Sequence, residues 1–521
     1  MCEPCAEENH HPLFSYPQVY QAYLNCRRTK RNSLRALSFE MNHEELLMEL
    51  VDELQAGRYL PGTSICFYTR KPKYREIFAA DFRDRIVHHL VYHAISPIWE
   101  RIFIHHSYAC RPQKGTHAAA RTLQKFIRMA TSNGKHRAYY LKMDVRNFFM
   151  SIDRALLFSM LAPKCAHPAL RELIRILVFH DPTSNYRMHD RDGIRATIPR
   201  QKSLFYTRPG CGLPIGNLTS QFFANVYLNT LDQFIKHQLK ARWYLRYVDD
   251  FVLVHNDSKV LFEWKERIAQ FLQNTLKLQV NNRATHIAPV SGGVDFAGFI
   301  IRHNYKLVRR RVVGNIKVKL RRFEAQLVKR SGCVICYRFD QKLLDACLST
   351  LNSYLGHFRH AKTRRIISKL WRQFPFLEYY FRLCAYKVIR RDRPLRKIPS
   401  MRRQIRWICD AYSAYLCLIQ VGCYYECFYK DAKTLSTITG FTLQKNWRGF
   451  SYSCGFPGGL LEKVIDKLRV HQVSYIVVHQ TGRELQRTKE RLPALLVRCV
   501  KSQICVVLVG TDKPRLSVPE L

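Results

Sequence analysis

The stretch Tyr244–Val254, which reads YLRYVDDFVLV, decides the fold of the central part of this 521-residue chain. Aromatic and β-branched residues lead to a short tip and an apolar run leaves it, a pattern that predicts a β-hairpin. Two-residue tips favour Asn-Gly or Asp-Gly, yet this tip region holds the neighbouring carboxylates of Asp249 and Asp250. Their repulsion is weakly screened near apolar strands. The pair therefore predicts either a solvated turn or a Mg²⁺ site for phosphoryl transfer, which would need a further carboxylate elsewhere.

Basic residues dominate the charge of the chain. There are 85 Lys and Arg against 40 Asp and Glu, a formal net charge of +45. An excess of this size, spread along nearly the whole chain, predicts a polyanionic partner, most simply nucleic acid. The sequence has no run of about 18 uncharged apolar residues, so no transmembrane helix and no membrane partner are expected. Residues 1–5 lack the features of a signal peptide, so we expect a cytoplasmic protein.

The 18 cysteines are interpreted as reduced thiols, because the start of the chain lacks a secretory signal. Many of them are expected to be buried as small hydrophobic side chains. Cys2 and Cys5 lie close to His10 and His11 in the sequence, which leaves zinc binding open as a minor alternative.

The further carboxylate follows a second predicted strand. Residues 138–145 (AYYLKMDV) read as a buried strand that ends near Asp144. With Asp249 and Asp250, Asp144 makes the three-carboxylate set that a two-metal nucleotidyl transferase needs. We therefore expect two Mg²⁺ ions held by these side chains, assisted by the Val145 backbone carbonyl. Such ions activate a primer 3′-OH and stabilise the leaving pyrophosphate.

Two other stretches have features of nucleotide binding. Residues 66–77 are extended and basic and lead into a helix. Arg75 and Arg85 are candidate phosphate contacts there, with a solvated basic face as the alternative. Residues 210–221 (GCGLPIGNLTSQ) form a Gly/Pro-punctuated turn that opens a helix. A glycine loop at a helix N-terminus lets the backbone approach a nucleotide closely.

Taken in order, these motifs resemble those of reverse transcriptases over residues 60–310. The matching segments are the basic fingers segment (Lys71–Arg85), motif A (Asp144–Asp153), motif B (Gly212–Gln221), the YxDD box (Tyr247–Asp250) and the primer-grip hairpin (Val294–Phe299). The resemblance implies an α+β right-hand polymerase with fingers, palm and helical thumb. It also implies RNA-directed DNA polymerase activity, with a template RNA, a DNA or RNA primer and dNTPs as partners.

The same resemblance assigns further residues to the nucleotide and the nucleic acid. Phe149 aligns with the family's steric gate, an aromatic ring that leaves no space for a 2′-OH. Tyr247, Phe296 and Gly298 lie in motifs that contact nucleic acid. Arg283 stands where the family usually has a Lys that helps to protonate pyrophosphate. Arginine stays protonated at neutral pH, so it is a poor proton donor there.

Motif B narrows the resemblance. Most retroelement enzymes have Gln before the motif's glycine and Ser-Pro after it, whereas this chain has Ile215 before Gly216, then Ser220 and Gln221. This form resembles the enzymes of diversity-generating retroelements, which implies error-prone copying of template adenines and a separate small basic accessory protein. Ile215 cannot hydrogen-bond to the nascent base pair as a Gln can, so we expect looser checking of base-pair geometry.

Residues 311–400 read as a basic helical thumb that ends in a linker. Residues 301–400 contain 26 Lys and Arg against 5 acidic residues, and their apolar periodicity is typical of helices. The pattern predicts a surface for the template–primer duplex. The predicted domains are an N-terminal helical segment (1–60), fingers and palm (61–310), thumb and linker (311–400) and a small C-terminal α/β module (404–521).

The C-terminal module has a resemblance of its own. Residues 415–432, followed in order by residues 440–443 and 455–457, resemble the N-terminal, mismatch-reading domain of MutS-type repair proteins. In that family a Phe-x-Glu pair reads a mispair, and the aligned residues here are Tyr424 and Glu426. A tyrosine can stack on a base, and a carboxylate can accept a hydrogen bond from a base edge. A module that only scaffolds or binds another partner is the alternative.

Two other functions stay open. The first is another bacterial reverse transcriptase, of the phage-defence or group II intron-like kind, although Ile215 and Gln221 argue against the intron class. The second is a non-catalytic nucleic-acid-binding protein that keeps the fold, which the complete three-Asp set argues against.

Overall fold

The structure, a computed structural model, describes residues 12–28, 33–69, 74–189, 198–394, 397–486 and 488–500. The chain divides into two compact units, Met1–Lys306 and Leu307–Leu521. Both units mix helices and strands, so the predicted α+β class is confirmed. Across the described ranges, no helix combines the length and the apolar character needed to cross a membrane.

The first unit contains the following elements. Its helices are α1 (Tyr16–Arg27), α2 (Leu34–Met41), α3 (His43–Gln55), α4 (Phe82–Ile102), α5 (Thr116–Ala130), α6 (Phe148–Ser151), α7 (Arg154–Leu161), α8 (Pro168–Phe179), α9 (Leu218–Gln233) and α10 (Ser258–Leu276). Its strands are β1 (Ser64–Thr69), β2 (Arg75–Ala79), β3 (Tyr139–Asp144), β4 (Tyr186–Met188), β5 (Trp243–Tyr247), β6 (Asp250–His255), β7 (His286–Pro289), β8 (Val294–Phe296) and β9 (Phe299–Ile301). A short strand, β10 (Lys306–Val308), spans the boundary.

The central sheet of this unit has the strand order β5-β6-β3-β7. The predicted hairpin is present, because β5 and β6 pair antiparallel and Tyr247 lies opposite Asp250. Phe251, Val252, Leu253 and Val254 are all buried, as expected for a strand covered on both faces. The helices around the sheet pack with it into one large apolar core, so the ends of the central strands are held in fixed positions.

The predicted basic stretch also forms a hairpin. β1 and β2 pair antiparallel, and β4 adds to β1 in parallel. Cys66, Tyr68 and Phe78 form a small core with Leu204 from the following loop region. The predicted helix after the hairpin is α4, and its buried apolar residues continue as far as Trp99.

The second unit begins with helices and ends with a sheet. Its helices are α11 (Arg310–Leu327), α12 (Gln341–Phe358), α13 (Arg364–Gln373), α14 (Leu377–Tyr380), α15 (Met401–Ala411), α16 (Lys430–Thr439) and α17 (Leu461–Val470). Its further strands are β11 (Val328–Ser331), β12 (Val334–Arg338), β13 (Phe381–Cys384), β14 (Lys387–Arg390), β15 (Leu416–Val421), β16 (Tyr424–Phe428), β17 (Gln444–Trp447), β18 (Phe450–Pro457), β19 (Tyr475–Leu485) and β20 (Thr488–Cys499).

One eight-stranded sheet runs through the second unit in the order β11-β12-β20-β19-β15-β16-β18-β17. Its β11–β12 hairpin comes from the predicted thumb, and β12 pairs with β20 along Val334–Arg338. The helical pattern did not predict this hairpin. The predicted linker also has structure, since Arg390 is buried and forms an ion pair with the fully buried Asp392. The boundary at residue 404 stays a prediction.

Some predictions fall on residues outside the described ranges. These are the zinc alternative at Cys2, Cys5, His10 and His11, and the basic residues 70–73 of the fingers segment.

Candidate active site

Asp144 and Asp250 lie directly opposite each other in the central sheet. β3 and β6 pair antiparallel over their whole length, and the last pair of the register is Asp144 with Asp250. Directly opposite residues in such a ladder share a face, with Cα atoms about 4.5–5.5 Å apart. Asp249 precedes Asp250 in the chain, so the three predicted carboxylates lie at the same end of the paired strands β3 and β6.

The hairpin tip differs in detail from the prediction. Val248 and Asp249 make the connection, and Asp250 is the first residue of β6. Val248 has a φ of +55°, a left-handed conformation that is unusual for a β-branched residue. The backbone there is therefore strained, and it needs surrounding contacts to hold it.

Lys142 is the cation of the site. Its Nζ lies 3.3 Å from Asp250 Oδ2, and it donates a 2.8 Å hydrogen bond to the backbone carbonyl of Asp295. The pKa of Asp250 is nevertheless raised to about 7, chiefly by burial, while Lys142 opposes the rise and Asp144 and Asp249 add to it. Burial and the two neighbouring carboxylates thus outweigh the effect of Lys142 on the pKa of Asp250.

The carboxylate oxygens of Asp144 and Asp250 differ in their hydrogen bonds. Asp250 Oδ1 is buried and accepts no hydrogen bond, whereas Asp144 Oδ2 accepts one of 2.8 Å from Asn281 Nδ2. Among the described residues no group of three or more His, Cys, Asp or Glu side chains is arranged to hold a metal ion. The residues fit an ion held by one or two carboxylates together with substrate phosphates, and not a preformed cage.

The chain after Asp144 supports the glycine loop. Phe149, in α6, is half-buried, and its carbonyl accepts a 2.8 Å hydrogen bond from the Leu213 N–H. The Ile152 carbonyl accepts another, also of 2.8 Å, from the Gly212 N–H. Val145, directly after Asp144, forms an isolated antiparallel β-bridge with Val280. Motifs A and B, predicted separately, are therefore in backbone contact.

Gly216 is where this loop meets the basic hairpin. Its φ is +143°, and a Cβ placed on it would lie 2.4 Å from the Phe78 carbonyl oxygen. The Phe78 N–H donates a 2.9 Å hydrogen bond to the Ile215 carbonyl. Ile215 is half-buried and Gln221 is exposed, so the loop holds β2 through its backbone and leaves Gln221 accessible.

The predicted phosphate-binding arginines have different surroundings. Arg75 is exposed at the start of β2, and Arg283 is exposed in the turn before β7. Arg85 is half-buried and donates a 2.8 Å hydrogen bond from Nε to the Ala80 carbonyl. Arg75 and Arg283 are therefore accessible to a ligand, while Arg85 stabilises the start of α4.

The predicted primer-grip hairpin is also present. Phe296 pairs with Phe299 across it, and Ala297 and Gly298 have φ values of 49° and 91°. Phe296 is fully buried. Phe296 therefore lies inside the hairpin, whereas Ala297 and Gly298 at its turn are half-buried.

The sequence motifs did not predict two buried residues that lie next to the β5–β6 hairpin. Arg246 and Asp232 are both fully buried and form an ion pair of 2.6 Å, and the Tyr244 hydroxyl donates to the same carboxylate. Tyr247, at the front of the hairpin, is half-buried, and burial raises its pKa. An arginine within an otherwise apolar strand was the available signal for this pair.

In the second unit, the MutS-like pair lies on β16. Tyr424 is 50% exposed, whereas Glu426 is 8% exposed. Burial raises the pKa of Glu426 against the opposing effects of Arg448 and Arg491, and its Oε2 atom has no hydrogen-bond partner. Gly455 makes room for it, because a Cβ there would lie 3.0 Å from Glu426 Cγ. Of the two residues of this pair, only Tyr424 is therefore freely accessible.

Two family models match the chain. Residues 69–301 match "Reverse transcriptase (RNA-dependent DNA polymerase)", and residues 399–505 match MutS domain I. The first match covers motifs A and B, the β5–β6 hairpin and the predicted primer-grip hairpin of β8 and β9. The second includes Tyr424 and Glu426.

The relatives and solved structures that resemble this chain share less than a third of their residues with it. Protein YkfC of Escherichia coli is 27% identical over 320 residues, 54% of this chain and 78% of that protein. The group II intron-encoded protein LtrA of Lactococcus lactis is 22% identical over 355 residues, 55% of each chain. Apo telomerase from Candida tropicalis, at 12% identity and a TM-score of 0.36, covers 65% of this chain and 66% of its own. The chain thus joins a segment of the reverse transcriptase type, which contains the candidate active site, to a segment of the MutS domain I type.

Proposed function

We propose that this chain is an RNA-directed DNA polymerase that extends a DNA or RNA primer on a template RNA. The observation that supports this most directly is the pairing of Asp144 with Asp250 beside the glycine loop, within the segment that matches the reverse transcriptase family. The net charge of +45 suits a protein that follows a nucleic acid backbone.

Each part of the site has a task in this function. Asp144, Asp249 and Asp250, with the Val145 carbonyl, would hold Mg²⁺, which when bound activates the primer hydroxyl and neutralises the pyrophosphate. The backbone of residues 210–221 lines the nascent base pair, and the ring of Phe149 favours deoxynucleotides by excluding a 2′-OH. Arg75 is accessible for the triphosphate.

The polymerase assignment is tested by primer extension on RNA with Mg²⁺. Asp249→Ala is expected to lose about a hundred- to a thousand-fold in rate, the loss typical when one preorganised group that stabilises transition-state charge is removed. Asp410→Ala, which removes an exposed carboxylate far along the chain, is the matched control and is expected to retain wild-type activity. Equal extension by Asp249→Ala and wild type would eliminate the assignment.

We further propose that copying is inexact at template adenines, as in diversity-generating retroelements. The support is Ile215, an apolar residue at the loop position where a Gln could contact the base pair. Sequencing cDNA made from a known template tests this proposal, and errors spread evenly over the four template bases would contradict it.

A group II intron-like enzyme is the second candidate, because LtrA aligns over 355 residues. Accurate cDNA, and a genome without a template and variable repeat pair beside the gene, would favour it. The separate basic accessory protein and the cytoplasmic location stay predictions.

For the second unit, we propose binding to a mispaired duplex. The match to MutS domain I and the exposed ring of Tyr424 support it. The full chain should bind a mispaired RNA–DNA duplex more tightly than a matched one, and Tyr424→Ala should remove the difference. Tyr206→Ala, which removes another exposed tyrosine, is the control. Equal affinity of wild type for both duplexes would contradict the proposal.

A further inference from the structure

The β5–β6 hairpin, which carries Asp249 and Asp250, is the proposed catalytic hairpin, and next to it one buried guanidinium contacts several partners. Arg246 Nε donates to Asp232 Oδ1 at 2.8 Å, and Nη2 donates to Asp232 Oδ2 at 2.6 Å. Both residues have no exposed surface. Buried charges of this kind are tolerated only when paired and hydrogen-bonded, and the two-point geometry is one that arginine provides and lysine does not.

The remaining nitrogen of Arg246 reaches the hairpin tip. Nη1 donates a 2.9 Å hydrogen bond to the Val248 carbonyl and a 3.1 Å bond to Asn225 Oδ1. Val248 is the residue with a φ of +55°, a conformation that costs free energy for a β-branched side chain. The guanidinium therefore holds the strained residue that immediately precedes Asp249.

The same arginine is fixed from two further directions. Its backbone N–H donates to the His106 carbonyl, and its own carbonyl accepts from the Tyr108 N–H, both at 3.0 Å. Asp232 and Asn225 belong to α9, the helix whose first residues, from Leu218, are the last residues of the glycine loop. Arg246 thus ties the catalytic hairpin to the helix whose first turn presents Gln221.

We infer that Arg246 is a positioning residue, whose guanidinium keeps Val248 left-handed and thereby sets the place of Asp249 and Asp250. The inference rests on the proposed polymerase function. It differs from a purely structural role, in which the Arg246–Asp232 pair would stabilise the unit and the tip would keep its conformation without it.

The first variant is Arg246→Lys, which keeps the charge but cannot reach Asp232 and Val248 together. The measured quantities are kcat and KM for dNTP in primer extension, together with the melting temperature. We expect kcat to fall by about ten- to a hundred-fold, the effect of misplacing reacting groups. KM should stay within about three-fold, because uniform binding is unchanged.

The second variant adds Val248→Gly to Arg246→Lys. Glycine adopts positive φ about as readily as negative φ, so the tip no longer depends on the guanidinium. We expect the double variant to regain most of the lost kcat, although the ion pair is no better than in the single variant. Arg390→Lys, which alters a buried arginine–aspartate pair in the second unit, is the control. Any loss of kcat or melting temperature that it causes should not be restored by adding Val248→Gly.

The outcomes separate the two roles. A loss of melting temperature with unchanged kcat per active molecule, or no rescue by Val248→Gly, would overturn the inference while the polymerase assignment stands. If wild type does not extend primers, the polymerase assignment fails. The inference about Arg246 is then tested by the rise in melting temperature that Mg²⁺ causes. That rise should shrink in Arg246→Lys and return with Val248→Gly, and an unchanged rise overturns the inference. If Arg246→Lys does not fold, Asp232→Asn replaces it, with a smaller expected loss and the same rescue.

Discussion

Lys142 and Asp250 form an ion pair of 3.3 Å within the candidate active site, and the same ammonium donates to the Asp295 carbonyl of the predicted primer-grip hairpin. One lysine therefore connects the carboxylate cluster with the hairpin expected to hold the primer. Its removal has two separable effects, one on the charge of the site and one on the position of that hairpin.

Lys142→Met is expected to slow primer extension by at least about ten-fold, because a charge-assisted hydrogen bond of about 1.5–3 kcal/mol is lost. The same variant should show a larger rise in melting temperature with Mg²⁺, because three carboxylates then lack their cation. Lys277→Met, which breaks an exposed Lys–Asp pair, is the control. A Mg²⁺ effect equal to that of wild type would contradict the charge argument.

Gly216→Ala is expected to destabilise the first unit by about 1–3 kcal/mol, as overpacking does, and to reduce activity. The new methyl group would lie 2.4 Å from the Phe78 carbonyl and push the basic hairpin away. Gly210→Ala is the matched control, because Gly210 also has positive φ but no atom within 4 Å of a Cβ. Chemical denaturation of both variants measures the difference, and equal losses would rule out the contact with Phe78.

Ile215→Gln tests the error proposal at one side chain. A net hydrogen bond of about 1 kcal/mol to the nascent pair corresponds to about five-fold better discrimination, so adenine-templated errors should fall by about that factor. Ile98→Gln, at an exposed position of α4, is the control for a general effect. An unchanged error spectrum in sequenced cDNA would remove Ile215 from the explanation.

A fragment that starts at residue 404 is expected to aggregate or to melt below the fragment 307–521. The reason is that β20 pairs with β12, and without that hairpin the strand has an exposed edge. Size-exclusion chromatography and thermal melting of the two fragments give the comparison. Two monomeric fragments with the same melting temperature would contradict the prediction.

His88 predicts a loss of stability in acid. It is buried and shares a 2.7 Å hydrogen bond with Thr219, and burial is the main cause that lowers its pKa to about 3. Between pH 6.5 and 3 the unfolded chain binds a proton that the folded chain does not, so the free energy of unfolding falls as the pH falls. His88→Gln should reduce the slope by about 1.4 kcal/mol per pH unit.

Denaturant titrations between pH 4 and 7.5 measure this slope. His189→Gln, at an exposed histidine, is the control and should leave the slope as in wild type. A His88→Gln variant with the wild-type slope would show that His88 is not the group responsible.

The parts of the site that could be predicted are local in the sequence. The hairpin with Asp249 and Asp250, the strand before Asp144 and the glycine loop are marked by periodicity and turn residues within a few positions. The pairing of Arg246 with Asp232 joins a strand to a helix, and the arginine in its apolar strand does not reveal which distant residue is its partner. The burial of Phe296 and Glu426 also depends on distant neighbours, so their accessibility could not be predicted.

The pairing of β12 with β20 also constrains the order of folding. Tyr337 lies opposite Leu496, so the strand emerges from the ribosome well before its neighbour is made. Closing a loop of about 160 residues is slow relative to local structure. During synthesis the hairpin edge stays open to wrong partners until the C-terminal strands arrive. The second unit should therefore mature only after β20 has been synthesised, and a truncation that removes β20 should damage the thumb region as well as the module.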